Sequence, residues 1–314
     1  MNKTAVVSGA NGFLGRNLTT RLLAAGYDVR AIGTRYTSSN RDVDYWRIDL
    51  SEALTETAVF TGADIVFHAA AVLPTGGQDL SLNARITRNL VEALDKNTTT
   101  HLVHISSASV YGSRPGARQE KDDLLPSSAY GESKLASETL IREAVSRDRV
   151  STAVILRPAN VFGPNMAASN NLARMGVAIS RKRFLGIGMG QNRKSLLHID
   201  DAISACLIAA EQQAGLEIFN AATGDLPMNA ITSTIAKAIG QAPPRWLQVI
   251  SPKVVSAALK SMPVGALKAL GDSVATFEST DVLDDSSVRT VGFSPPLDLV
   301  QRISQTFSSE STDR

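Results

Sequence analysis

The residues best suited to do chemistry are a tyrosine and a lysine four positions apart, in Tyr130-Gly131-Glu132-Ser133-Lys134. On a helix this spacing puts both side chains on one face. A phenol with a pKa of about 10 is a poor acid or base at neutral pH. A nearby ammonium group favours the phenolate, which can then take a proton from a substrate hydroxyl or, once protonated, return it to a carbonyl. Upstream, an apolar run ends in Ser106-Ser107-Ala108-Ser109-Val110-Tyr111-Gly112. A hydroxyl at such a strand end can polarise a substrate oxygen; Ser107 is the first choice and Ser109 the fallback. A Tyr-x-x-x-Lys pair by itself is a common feature of helix surfaces. It gains meaning from the serine before it and from a glycine turn at the start of the chain.

That turn reads Ser-Gly-Ala-Asn-Gly-Phe-Leu-Gly over residues 8–15. It follows a strand pattern and opens a helix, as a dinucleotide-binding turn must. A pyrophosphate needs close backbone approach, which a Cβ would block, and the helix start offers free N–H groups and partial positive charge. Gly9, Asn11, Gly12, Phe13, Leu14 and Gly15 are the expected cradle. With a nicotinamide dinucleotide there, Lys134 can also hold the nicotinamide ribose. The end of the second strand bears on the choice of cofactor. NAD binders usually place a carboxylate there for the ribose 2′-hydroxyl, whereas this chain has Gly33-Thr34-Arg35. Arg35 could pair with a 2′-phosphate, so the expectation leans to NADP over NAD. Asp49 and Leu50 follow the third strand, where they would meet the adenine. Ala69, Ala70 and Ala71 end the fourth strand with small residues that leave room for the cofactor, and His68 reads as a packed strand-end histidine.

The elements that must position these residues alternate. Strand patterns at 4–7, 28–32, 64–70, 101–106 and 150–156 are interleaved with helical patterns at 14–25, 82–94 and about 131–146, which predicts a parallel sheet covered on both faces. The second half is broken by Pro158, Pro164, the 186–190 segment and Pro227. It has helical patterns at 202–211 and 228–239 and an amphipathic basic stretch at 252–270. Apolar residues make up 43% of the 314, enough for a sizeable core, and 32 basic against 30 acidic residues give no ground for a nucleic acid partner. The single cysteine, Cys206, cannot form an internal disulfide or a cysteine-rich metal site; it reads as core, no metal is expected, and a cytoplasmic location is the simplest expectation. No leader peptide is expected from the first residues, and no run approaches the roughly 20 apolar residues that span a bilayer.

Together these residues resemble the extended short-chain dehydrogenase/reductase family, of the NAD-dependent epimerase/dehydratase kind. The anchors are Gly9–Gly15, Asp49-Leu50, His68–Ala71, Asn83, Ser106–Gly112, Tyr130–Lys134, the run Arg157–Pro164 and His198-Ile199-Asp200-Asp201. The resemblance implies an α/β fold: a Rossmann-like doubly wound parallel sheet over residues 1–164, completed by about 196–222. A smaller C-terminal α/β substrate-binding lobe would take 165–195 and 223–308, with 309–314 a frayed tail. It implies a Ser107–Tyr130–Lys134 triad, Asn83 among the cofactor-binding positions and Pro158 beside the nicotinamide. Asn160, Arg193 and Lys194 match positions that hold the diphosphate of a nucleotide-sugar, for which a guanidinium is suited by its paired donors. Ser107 and Ser109 would also touch the substrate. The helices at 82–96 and 131–147 lie where relatives pair into a four-helix interface, so a homodimer is expected.

Departures from subfamily patterns narrow the reaction. Ala108-Ser109 stand where sugar-nucleotide dehydratases carry an Asp-Glu pair, which argues against water elimination. The Cys/His pair of epimerases acting at carbons 3 and 5 is missing. A 4-epimerase or a 4-keto reductase of a nucleotide-sugar remains. The alternative keeps the chemistry and changes the substrate: an NADPH-dependent reductase of an apolar aldehyde or ketone, of dihydroflavonol or steroid type, with the apolar residues of 244–270 walling the pocket. A minor alternative is a non-catalytic dinucleotide-sensing regulator, a class that often loses the tyrosine or the lysine.

Overall fold

The computed structural model describes residues 2–38, 40, 43–54, 57–74, 77–94, 101–113, 116–212, 214–247 and 280–309. In chain order the elements are β1 (Thr4–Ser8), α1 (Phe13–Ala24), β2 (Asp28–Gly33), β3 (Asp44–Arg47), β4 (Ile65–His68), α2 (Leu82–Ala93), β5 (His101–Ile105), β6 (Ala117–Arg118), α3 (Ala129–Ser146), β7 (Thr152–Pro158), β8 (Asn160–Phe162), α4 (Asn171–Ser180), β9 (Leu185–Ile187), β10 (Arg193–His198), α5 (Ile199–Ala209), β11 (Leu216–Ala221), β12 (Gly224–Pro227), α6 (Met228–Ala238), β13 (Arg245–Leu247), β14 (Val282–Leu283), α7 (Ser286–Thr290) and α8 (Leu299–Ser309).

Seven strands form one sheet in the order β11-β7-β5-β4-β1-β2-β3, and every neighbouring pair is parallel. Its central strands read as unbroken apolar runs because both faces are covered. Val7, Phe67, Val103 and Val154 face the side of α1 and α5, where Leu18, Leu22, Ala202 and Cys206 meet them. Val6, Val66, Leu102 and Ile155 face α2 and α3, against Ile86, Leu90, Ile141 and Ala144. Strand order reverses on either side of β1, so the crevice beyond the carboxyl ends of β1 and β4 is the topological switch point, where open α/β sheets bind ligands. Cys206 is fully buried, as expected of a core residue.

The smaller lobe forms on the carboxyl-end side of β7. It holds a three-stranded sheet, β12-β10-β8, and the two-stranded β13-β9 and β14-β6 pairs. Its core joins Phe162, Leu172, Met175 and Ile179 to Leu196, Ile231, Ile235, Ile303 and Phe307. α8 carries apolar residues at 299, 303 and 307 and docks against α6 through them. It continues through Ser309, one residue into the stretch expected to fray. The basic stretch at 252–270, most of the apolar 244–270 segment and the last residues of the helix expected at 82–96 lie outside the described residues.

Candidate active site

The glycine turn is tight for reasons internal to it. Gly9 takes φ +70°, and a Cβ there would lie 2.7 Å from the backbone of Ala70, at the end of β4. A Cβ on Gly15 would come within 2.2 Å of the Gly9 carbonyl oxygen. β1 therefore passes into α1 pressed against the Ala69–Ala71 segment, whose amides at Ala69 and Ala70 donate to Ser8. α1 begins after Gly12 with no capping side chain and no acidic residue in its first turn. The first amide to find a helical acceptor is that of Arg16, on the Gly12 carbonyl at 3.0 Å. The preceding N–H groups point out of the helix start, where an anion is favoured. These residues fit a dinucleotide pyrophosphate: the backbone is bare, the positive helix end is uncapped by any carboxylate, and the site opens at the switch point.

Gly33 has a packing reason of its own. A Cβ there would lie 2.7 Å from the Tyr45 hydroxyl and 3.0 Å from Asn11 Nδ2. Asn11 Nδ2 donates to the Tyr45 hydroxyl at 2.9 Å, and that hydroxyl donates to the Arg35 carbonyl at 2.9 Å. Asn11, expected only as part of the cradle, thus ties the glycine turn to the loop after β2. The Arg35 side chain is exposed. Further along, the Asp49 carboxylate accepts from the Ser51 amide and hydroxyl, and the Leu50 side chain is buried in the core against α2.

Beyond β5 the chain turns through a short 3-10 segment, Ala108–Tyr111. Ser107 Oγ accepts from the Ser109 amide at 3.1 Å and from the Ser109 hydroxyl at 2.9 Å. Both bonds use its lone pairs, so its own proton can be given to a substrate oxygen. Ser109 holds Ser107 in place, which favours Ser107 over the fallback. α3 starts behind Ser128, whose hydroxyl caps the Gly131 amide at 3.1 Å. Gly131 is needed because a Cβ there would lie 2.5 Å from the Ser109 carbonyl oxygen. That close approach brings the first turn of α3, with Tyr130, against the Ser107–Ser109 segment. Lys134, one turn further, is buried and donates from Nζ to the Ile105 carbonyl at 2.6 Å. The other two ammonium protons are left for a cofactor ribose.

The electrostatics differ from the expectation of a lysine-stabilised phenolate. Burial pushes the Tyr130 phenol up to about 12, with no opposing contribution from Lys134. Lys134 is itself pushed down to about 8 by burial, against the pull of Glu138. The physical reason is that the ammonium group turns to the end of β5 rather than to the phenol. In this state Tyr130 carries its proton at neutral pH.

Asn83, in α2, works mainly as a clamp. Its side chain accepts from the Val72 amide at 2.7 Å, donates to the Val72 carbonyl at 3.1 Å and donates to Ser133 Oγ at 3.0 Å. It therefore fixes the segment after β4 to α3 one residue before Lys134. His68 is fully buried between Ser8 and Thr87 and pushed down to about 3 by burial, as a packed strand-end histidine. Sequence reasoning passed over Gly131, Ser133 and Glu138. Glu138 carried a signal, because it extends the Tyr130–Lys134 face by another four residues.

On the substrate side, Pro158 is buried at the end of β7 and Asn160 is exposed on β8. Arg193 and Lys194 sit side by side on β10, so their side chains leave opposite faces. Arg193, half exposed, pairs with Asp225; Lys194, mostly buried, pairs with Asp281. The structure does not bring these two cations together. Trp246 stacks over Gly186 and Gly190, where a Cβ would fall 2.3 Å and 2.7 Å from the indole. Apolar side chains at Leu185, Met189 and Leu247 are exposed nearby.

Similarity to known proteins agrees with this fold. A profile of the NAD dependent epimerase/dehydratase family matches residues 5–222, and the chain belongs to that family. It is 25% identical over 252 residues to N-acetyl-alpha-D-glucosaminyl-diphospho-ditrans,octacis-undecaprenol 4-epimerase of Escherichia coli O157:H7, covering 77% of this chain and 74% of that one. An uncharacterised Sinorhizobium fredii protein is 29% identical over 69% of this chain, and the match spans just 56% of its length. Among solved structures, UDP-glucuronic acid 4-epimerase from Bacillus cereus, in complex with UDP-glucuronic acid and NAD, shares the fold with a TM-score of 0.76 at 22% identity, over 98% of this chain and 99% of that one. No described helix is long and apolar enough to cross a membrane.

Proposed function

We propose that the chain is an NAD(P)-dependent oxidoreductase acting at a carbinol or keto carbon of a nucleotide-sugar, as a 4-epimerase or a 4-keto reductase. The observation that carries this reading is one juxtaposition: the uncapped start of α1 lies at the carboxyl end of β1, and Ser107 and the start of α3 with Tyr130 and Lys134 lie at the carboxyl end of β5, with only β4 between the two strands. When bound, the nicotinamide supplies a hydride donor or acceptor. Gly9, Asn11–Gly15, Ala69–Ala71 and Lys134 would hold the dinucleotide. Ser107 donates to the reacting oxygen, and Tyr130 keeps the proton that a carbonyl takes on reduction. The proton already on Tyr130 fits a step that delivers a proton to a carbonyl, and the exposed Arg35 in place of a carboxylate favours NADPH.

The diphosphate of the substrate would meet Asn160 and Arg193 at the mouth of the lobe. The exposed Leu185, Met189 and Leu247 favour a second reading, in which the substrate is an apolar aldehyde or ketone. A homodimer through the outward faces of α2 and α3, and a cytoplasmic location, complete the proposal; the apolar faces of both helices are spent on the sheet, leaving Arg85, Arg88, Glu92 and Glu143 outward.

The test is a calorimetric titration of cofactor-loaded protein with UDP-, GDP- and dTDP-sugars, with Arg193→Ala as control. Binding to one base that falls about tenfold or more in the control is expected for a charge-assisted phosphate contact. Absence of binding to all three refutes the nucleotide-sugar reading and leaves the apolar carbonyl.

A further inference from the structure

We infer that Glu138 and Arg157 are positioning residues for the proposed reaction: their buried ion pair locks the ends of β5 and β7 onto α3 and keeps an anion one helical turn beyond Lys134. The inference rests on the role given to Lys134 above. Positions 130, 134 and 138 recur every four residues on the inward face of α3. Glu138 has no exposed surface and receives three donors: Ser106 Oγ at 2.5 Å, Arg157 Nε at 2.9 Å and Arg157 Nη2 at 2.6 Å. Arg157, also wholly buried, spends Nη1 on the Tyr111 hydroxyl at 2.8 Å and the Glu120 carbonyl at 3.2 Å. The Tyr111 hydroxyl in turn donates to Asn220 Oδ1 on β11 at 2.7 Å.

Two neighbours in sequence give this pair its reach. Ser106 precedes Ser107, and Arg157 precedes Pro158. One carboxylate thus fixes the strand end that carries the reacting hydroxyl and the strand end that carries the proline. An apolar pair of similar size would pack there at less desolvation cost, so stability alone does not account for two buried charges. What an apolar pair could not do is act on Lys134. The titratable groups that act on that ammonium are His68 from β4 and His104 from β5, both held neutral by burial, and the Glu138 carboxylate with Arg157 beyond it; Tyr130, on the same helix, keeps its proton and its phenol is turned from the ammonium. Arg142 lies 3.9 Å from the far oxygen of Glu138, at the edge of this group. Among the described residues Glu138 is the one anion that favours the charged lysine.

The test compares wild type, Glu138→Gln and Glu138→Gln/Arg157→Met by NADPH and NADH fluorescence titration across pH 6–9, with melting temperatures alongside. Glutamine keeps the shape and a hydrogen-bonding oxygen for Ser106; the double variant removes the cation that the single one strands. Wild-type affinity should fall as pH rises through about 8, where Lys134 loses its proton. In Glu138→Gln the fall should begin about a pH unit lower, leaving affinity near wild type at pH 6, about threefold weaker near pH 7.5 and about tenfold weaker by pH 9, because one unit of pKa becomes a factor of ten only where both lysines are largely deprotonated. The double variant should recover melting temperature while its fall stays below that of wild type, and it carries the comparison if the single variant does not fold. A fall at the same pH in all three overturns the inference and leaves the pair a purely structural one. A wild type that binds neither dinucleotide overturns the functional reading as well, and is told apart because its own curve is flat.

Discussion

Replacing Lys134 with methionine should make the protein more stable, in a way that depends on pH. The lysine is fully buried, and its pKa is pushed from 10.5 to about 8. At about 1.36 kcal/mol per unit, keeping it charged below pH 8 costs the folded state roughly 3 kcal/mol. Methionine of similar length fills the same space without the charge. It gives up the bond to the Ile105 carbonyl, which offsets about 1–2 kcal/mol, so the net gain at pH 7 is about 1–2 kcal/mol. The pH dependence is the sharper readout. Because the folded pKa is depressed, the unfolded chain binds the extra proton between pH 8 and 10.5, and wild-type stability rises through that window relative to the variant. The difference should close by about 1.4 kcal/mol per pH unit above pH 8. Tyr130 and Cys206, both pushed up to about 12, titrate alike in the two proteins and cancel. Urea unfolding of both at pH 7, 8, 9 and 10 measures this. A wild-type-minus-variant difference that stays constant with pH would refute the reasoning, since it would mean that the lysine is not held at a cost.

Tyr130→Phe removes the hydroxyl that carries the proton and leaves the glycine turn and Lys134 in place. Turnover should drop by about 10²–10⁴-fold with dinucleotide affinity within about twofold of wild type, as steady-state rates and fluorescence titration would show; a wild-type rate in this variant sinks the proposed mechanism. Arg35→Ala should weaken NADPH by about tenfold or more and leave NADH unchanged, because the lost contact is to a 2′-phosphate that only NADPH carries. Equal weakening of both cofactors would remove Arg35 from cofactor choice.

Much of the fold was legible because the signals were local. The strands buried on both faces announce themselves as runs such as Thr4–Val7 and His101–Ile105, and the helices by their spacing, so boundaries came within a few residues of the observed ones. α4 and α8 were not read from the sequence. Their apolar residues make sense only against partners distant in sequence: both helices pack on α6, and a Cβ on Gly176 would lie 2.5 Å from the Phe307 ring, a contact across 131 residues of chain. The site divides in the same way. Ser107, Tyr130 and Lys134 could be nominated as candidates from type and spacing, and the fold brings the segments that carry them together. The assignment of Arg193 and Lys194 to a substrate diphosphate came from the resemblance alone; what the sequence did not show is that the two face opposite ways on β10 and that each has an acidic partner, Asp225 and Asp281, remote in sequence.

By itself the sequence determined which groups the candidate site contains. A glycine spacing that excludes Cβ atoms, a Tyr-x-x-x-Lys on one helix face and a hydroxyl at a strand end are local facts, and local backbone geometry translates them directly. Tertiary structure alone decided the protonation states of those groups. Burial raises the Tyr130 phenol and lowers Lys134, the Ile105 carbonyl draws the ammonium group away from the phenol, and Glu138, itself held by Arg157 from another strand, restores part of its charge. Desolvation and charge pairing depend on which atoms surround a group in space, and most of those atoms come from distant parts of the chain.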